Sequence, residues 1–394
     1  MLENENLNHD TQETQQPAPQ GVHGDHGYHS ARVKLQPGSG ITVGENGEII
    51  MKFKACPGDE VIAAVGNDNR NPIRVPMTDE EGNGIFTAVL ENHGLVGPQM
   101  INFSVNGLDV LNTSASQLWY LANALHNYVE LPDPETDALI EARRDIAHGS
   151  VTHDFYYSET YDKWMNCTVY TPPDYEQGGE YPVLYFFHEC AENETAWTPA
   201  SLLNFELDNL IADGKIVPFL MVELDCTVPL NYHNNEDWFA GYDKIEQFLL
   251  KDIISFMETK YRVRKDKWDR AISGIGLGAV QAAYIGMRNT DVFGSIGMFT
   301  AFWISSFYHA EGKDDPFYTA AEKIAAHPEE VKVFYHSEGD LDPHFRSVEA
   351  ENEMFALLGI DKLPGYVFKV YHASHNWSSY RRSMRDFAPL LFRD

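Results

Sequence analysis

The sequence predicts an α/β protein, with a mostly parallel central sheet covered by helices on both faces and a small β-sandwich in front of it. Three observations predict this. From residue 151 onward, apolar strand-like runs alternate with helix-length stretches, the pattern of a sheet built from β-α crossovers. From 36 to 115 the runs are short and separated by Asn-Gly, Gly and Pro turns, as in a sandwich of hairpins. Between Arg270 and Ala279 a strand-like run passes through glycines at 274, 276 and 278 into an apolar helical run, the punctuation of a sharp strand-to-helix turn.

Taken in order, residues 1–35 form a polar Asn/Gln/Glu-rich arm. Its histidines, His23, His26 and His29, are too loosely spaced to define a metal site. Ile41–Val43, Asn46-Gly47 and Ile49–Phe53 read as one hairpin, and Phe103–Val105, Asn106-Gly107 and Leu108–Val110 as another. The sandwich is expected to end near 115. Residues 116–150 are a connector with a short helix over Gln117–Leu125 and the Pro-punctuated Val129–Pro134. Strands are then expected at Val151–Tyr157, Met165–Thr171, Tyr181–Phe187, Phe219–Leu224, before the turn at 276, and at Gly294–Phe299, Val331–His336 and Tyr366–Tyr371. Helices are expected at Leu202–Asp213 and Tyr242–Lys260. In such a sheet the site lies at the carboxyl ends of the strands.

Composition narrows the partners. Twenty-nine basic against 59 acidic side chains give a net charge of -30, which repels phosphate backbones and anionic lipid surfaces. Nucleic acid and membrane are therefore not expected, and a homo-oligomer is left open. Cys56, Cys167, Cys190 and Cys226 show no C-x-x-C spacing, so the expectation is free thiols, no metal and no cofactor. The start of the chain has no apolar leader run, which points to the cytoplasm unless a leader has been removed.

The turn at Gly274-Ile275-Gly276-Leu277-Gly278 has the frame of a nucleophile elbow, G-x-S-x-G, with glycine in place of the serine. Other segments carry a wider likeness: Asn127–Pro132, His148–Val151, Tyr170–Tyr175, Tyr181–Tyr185, Asn204–Gly214 and Asp386–Phe392. In this order and spacing the chain resembles, from about Ile41 to Arg393, an esterase family of the α/β-hydrolases, the bacterial feruloyl and acetyl-xylan esterases that carry an N-terminal immunoglobulin-like sandwich. The resemblance implies a Ser-Asp-His triad that cleaves ester-linked acyl groups from plant cell-wall polysaccharide.

Carried over residue by residue, that implication is incomplete. His375, in Ala373-Ser374-His375-Asn376-Trp377, stands where the family has Gly-Gly-His-x-Trp and is the expected base. Asp340 is the expected acid, with Asp342 and Glu338 close enough to leave the assignment open. The nucleophile position is Gly276, and the family's oxyanion loop His-Gly-Gly-Gly reads His188-Glu189-Cys190-Ala191. Loss of one oxyanion donor typically costs about 100- to 1,000-fold in rate. An engineered Ser-to-Gly trap would leave that loop intact, so two independent losses argue for a natural departure.

The expected lining of the cleft is His188, Glu189, Cys190, Leu277, Cys226 and Trp377. Cys190 facing His375 would give a cysteine nucleophile; read blandly it is an apolar filler, as His188 is structural in the family. Ser273 and Ser374 are weaker substitutes for the lost serine. Asn231, His233 and Trp238 read as an ordinary polar loop or as further cleft wall. Two functions follow: a pseudo-esterase that holds a saccharide, phenolic ester or small metabolite without hydrolysing it, or a repurposed lyase- or isomerase-type enzyme using a His375–Asp340 general-base pair.

Overall fold

The computed structural model describes residues 38–67, 71–115, 117–121, 124–189, 192–198, 201–227, 235–301, 316–342 and 345–393; the polar arm lies outside them. Two β-sheets precede an eight-stranded one. The first contains β1 (Ile41–Val43), β2 (Ile49–Lys54) and β5 (Ile85–Leu90). The second runs β4 (Ile73–Met77), β3 (Val61–Val65), β6 (Gly97–Val105), β9 (Ala124–Leu131), β8 (Leu118–Leu121), with β7 (Leu108–Val110) beside β6. Inward residues of both, such as Met51, Phe53, Ala63, Ile101 and Phe103, alternate with outward ones and share one core, as a sandwich requires. Both expected hairpins form, β1–β2 and β6–β7. The second turns through Asn106 at φ 51° and Gly107 at φ 79°, the two positive angles of a twist-matched two-residue turn.

The sheet continues past the expected boundary. Residues 118–121 and 124–131 are strands, where the sequence reading has a helix at Gln117–Leu125 and a connector. β9 pairs with the central strand β6, and Trp119 on β8 is buried edge-on against Trp377, ring centroids 5.9 Å apart; tertiary packing overrides the local helical pattern.

The large sheet runs β10 (Ser150–Ser158), β11 (Lys163–Thr171), β13 (Leu220–Leu224), β12 (Val183–Phe187), β14 (Arg270–Ile275), β15 (Ser295–Phe299), β16 (Val333–Gly339), β17 (Tyr366–Tyr371). β11 pairs antiparallel with both β10 and β13, and the six strands from β13 to β17 are parallel. The helices, after the single turn α1 (Asp137–Ile140), are α2 (Leu203–Ala212), α3 (Asn235–Phe248), α4 (Ile254–Lys260), α5 (Leu277–Arg288), α6 (Pro316–Ala326), α7 (Phe345–Leu358) and α8 (Trp377–Phe387). A π-turn at Leu249–Ile253 joins α3 to α4. One face of the sheet packs on α3, α4, α5 and α6 through Phe248, Met257, Tyr284 and Phe317. The other packs on α2 and α8 through Leu207, Tyr380 and Met384, joined by Met100, Trp119 and Tyr128 from the sandwich. This is an α/β-hydrolase fold with a β-sandwich in front.

The sandwich grips the helix that follows His375. Arg381, fully buried, makes a two-pronged pair with Glu130 at 2.7 and 3.0 Å. Arg382 reaches Asp133 at 3.1 Å and Glu135 at 2.8 Å, and Ser378 donates to Asp133 at 2.7 Å. The parallel fork of an arginine on a carboxylate fixes orientation as well as distance.

Candidate active site

The site is assembled where β12, β14 and β16 end. β14 passes through Gly276, at φ 50° and ψ −117°, directly into α5. A side chain is strained in that conformation, which is the conformation an elbow imposes on its central residue. The flanking glycines are required by close approach. A Cβ on Gly274 would lie 2.5 Å from the Gly278 backbone, and one on Gly278 would lie 2.4 Å from the His188 carbonyl oxygen.

The space above Gly276 is filled from the neighbouring loop. A Cβ at Gly276 would lie 1.2 Å from Glu189 Oε2, so the carboxylate stands where the serine side chain would begin. Glu189 Oε2 also accepts the Leu277 N–H at 3.0 Å, at the N-terminus of α5, where the backbone dipole favours a negative charge. Glu189 is therefore not simply a lost glycine of the oxyanion loop: its carboxylate takes up the backbone donor next to the elbow.

His375 faces this carboxylate. Its Nε2 lies 3.7 Å from Glu189 Oε2, and its Nδ1 bonds Asp342 Oδ2 at 2.7 Å. Burial works against a charged ring, but the Asp342 hydrogen bond and the Glu189 carboxylate outweigh it and push the pKa up to about 10. The shift favours an imidazolium between the two carboxylates at neutral pH, a form suited to giving a proton and not to taking one.

The acid of the pair is Asp342. Asp340, the residue expected from sequence, has an exposed side chain 3.1 Å from His372. The reason is local. The Asp340 N–H still pairs with Tyr371 and the Leu341 N–H with Ala373, so the chain leaves β16 only after 340, and the turn delivers the fully buried Asp342 beneath the imidazole. Glu338 is buried within β16, and burial and then Asp342 hold its carboxyl well above the usual range.

The other expected lining residues divide. His188 is buried and structural: its Nδ1 meets the Glu189 carbonyl at 2.8 Å and its Nε2 accepts the Cys226 N–H at 3.1 Å, which holds the loop in place. Cys226 is buried beneath it, and burial raises its thiol pKa. Leu277 contributes its backbone N–H. Trp377 is fully buried between Trp119 and Trp197 and belongs to the core, not the ligand site. Ser273 is buried in β14, and Ser374 lines a cavity of about 590 Å³ between the sandwich and the 372–376 loop. Cys190, Asn231 and His233 fall outside the described residues, as does the side chain of Trp238.

Sequence reading missed Glu192 and Glu223. Glu192 accepts the Glu189 N–H at 3.2 Å, and burial, then Glu189, pushes its pKa up to about 8. Glu223 is buried on β13, and burial holds it well above the usual carboxyl range. The E-x-x-E spacing of 189 and 192 was the available signal. Among the described residues no group of three His, Cys, Asp or Glu is placed to hold a metal ion, and no helix is long and apolar enough to cross a membrane.

Comparison with known proteins fits this architecture. The sequence profile of the family described as "Putative esterase" matches residues 158–390. The chain belongs to that family. A xylanase/feruloyl esterase of Xylanibacter ruminicola is 27% identical over 275 residues, 67% of this chain and 36% of the relative; the chain thus spans about a third of that protein's length. A ferulic acid esterase of Anaeromyces mucronatus superposes with TM-score 0.54 at 18% identity, covering 65% of this chain and 95% of that one. The enterochelin esterase of Shigella flexneri superposes with TM-score 0.62 at 13% identity, over 93% of this chain and 97% of that one. These likenesses show the fold, and the last extends it across the sandwich.

Proposed function

We propose that this member of the esterase family is a non-hydrolytic binder, a pseudo-esterase that holds a saccharide or phenolic ester in the old esterase cleft without cleaving it. The observation that carries this reading is the Glu189 carboxylate in the space of the missing serine. It takes the Leu277 N–H that an oxyanion would use and places negative charge where one would develop, which weighs against ester cleavage at the elbow. The ligand class is drawn from the xylanase/feruloyl esterase relative, and the charge of -30 argues for a neutral ligand.

A second reading, a repurposed proton-transfer enzyme, is favoured by one observation: the His375–Asp342 bond of 2.7 Å persists with no serine to serve. In that reading His375, already charged, acts as the acid. One set of experiments separates the readings. The protein is titrated calorimetrically with methyl ferulate, incubated with p-nitrophenyl acetate and a fluorophosphonate, and the mixtures are analysed for product. The expected result is ferulate binding with no label and no turnover above buffer. Covalent labelling at the elbow, or ester hydrolysis above the buffer rate, overturns the proposal. A non-hydrolytic product lost in His375→Ala selects the second reading.

A further inference from the structure

The β10–β11 hairpin carries an aromatic strip that neither the fold nor the cleft uses. In its antiparallel register, His153, Phe155 and Tyr157 lie opposite Thr168, Asn166 and Trp164. Side chains alternate along a strand, so these six share one face, on which Thr168 is buried and bonds His153 Nδ1 at 3.0 Å while the other five are exposed, and Tyr156, Met165 and Cys167 point to the core on the opposite face. Phe155 and Trp164 are 68% and 69% exposed, and Tyr157 is 42% exposed. Tyr157 and Trp164 hold each other edge to face at 5.9 Å, and the Tyr157 hydroxyl donates to Asp162. Three adjacent aromatics left in water on one rigid face mark a binding surface more often than chance exposure does.

Topology sets this strip beside the cleft. Cys167 on β11 is opposite Leu224, the last residue of β13. Trp164 therefore lies three residues beyond the carboxyl end of that strand, about 10 Å along it at ~3.3 Å per residue. That is the rim on which Gly276 and His375 sit. Across the sheet β11 is three strand positions from β14, about 14 Å at ~4.8 Å per position.

The geometry points to a second binding site on this strip, for the pyranose faces of an extended neutral glycan that continues past the cleft. A pyranose presents a face of C–H bonds to an aromatic ring and hydroxyls at its edge. Here the rings of Phe155 and Trp164 are interleaved with the hydrogen-bonding side chains of Asn166 and His153. The charge of -30 disfavours polyanions and anionic lipid on the same face. The choice of a glycan rests on the saccharide reading of the cleft; the surface itself does not.

The test is native affinity electrophoresis of the full chain in gels with and without soluble arabinoxylan, using wild type, Trp164→Ala, Phe155→Ala and Trp164→Phe, each checked for an unchanged melting temperature. Wild type is expected to be retarded, Trp164→Ala to bind about tenfold more weakly, the worth of one good aromatic contact, and Trp164→Phe to keep most of the retardation. A wild type that is not retarded, or alanine variants retarded as strongly as it, overturns the inference. So does light scattering that shows a dimer lost in Trp164→Ala without glycan retardation, since the strip is then a self-association face. Methyl ferulate titration run in parallel keeps the two claims apart: retardation that depends on Trp164 without ferulate binding removes the cleft reading alone, and ferulate binding without retardation removes the strip alone.

Discussion

Glu189 and Gly276 act as a pair, and each explains the other. Glycine removes the side chain that would collide with the carboxylate, and the carboxylate supplies charge to the buried N-terminus of α5. Gly276→Ser alone is therefore expected to remain inert: the new Cβ displaces Glu189 by force, at a strained φ, and the displaced carboxylate stays beside the attacking oxygen. Gly276→Ser with Glu189→Gly and Cys190→Gly is expected to react with a fluorophosphonate at least about 100-fold faster than the single variant, the scale of one restored oxyanion donor. Labelling kinetics followed by intact mass check this; equal rates for the single and triple variants would contradict it. At this scale the sequence was half legible. G-I-G-L-G put a glycine where the elbow pattern has serine, and His375 stood in a readable place. That Glu189 would turn inward, or that Asp342 and not Asp340 would meet His375, depends on where β16 releases the chain, and no local pattern encodes that.

At the scale of elements, α8 is the part that joins the sandwich to the site. It begins directly after His375, capped by Asn376, whose side chain accepts the Ser379 N–H at 3.3 Å. Within two turns it is held from outside by Glu130, Asp133 and Glu135. Arg382 and Asp133 are both nearly inaccessible, with side-chain exposures of 4% and 2%. Asp133→Ala leaves the guanidinium short of a buried partner and is expected to cost about 3–5 kcal/mol, read from urea unfolding. A loss under about 1 kcal/mol, as for a surface pair, would contradict the clamp. The parallel strands were legible because they are continuous apolar runs. β8 was not, because Trp119 takes its conformation from Trp377, distant in sequence.

For the whole molecule, the feature that governs the pH behaviour of the site is the concentration of acid around it. Around one elbow lie Glu189, Glu192, Glu223 and Asp342, with His375 their charged counterpart. The sign of the pH dependence follows. The folded pKa of His375 lies above the unfolded value, so its contribution to stability is complete below about 6.5 and is lost as pH rises through about 10. Glu192, also raised, loses its contribution between about 4.5 and 8. The site weakens in alkali, and the residue that reports it is His375. The most direct measurement is the titration of the His375 ring by nitrogen NMR in wild type and Glu189→Gln. The account predicts an imidazolium that persists through pH 8 in wild type and deprotonates at distinctly lower pH in Glu189→Gln. A ring that titrates near 6.5 in both proteins would contradict it.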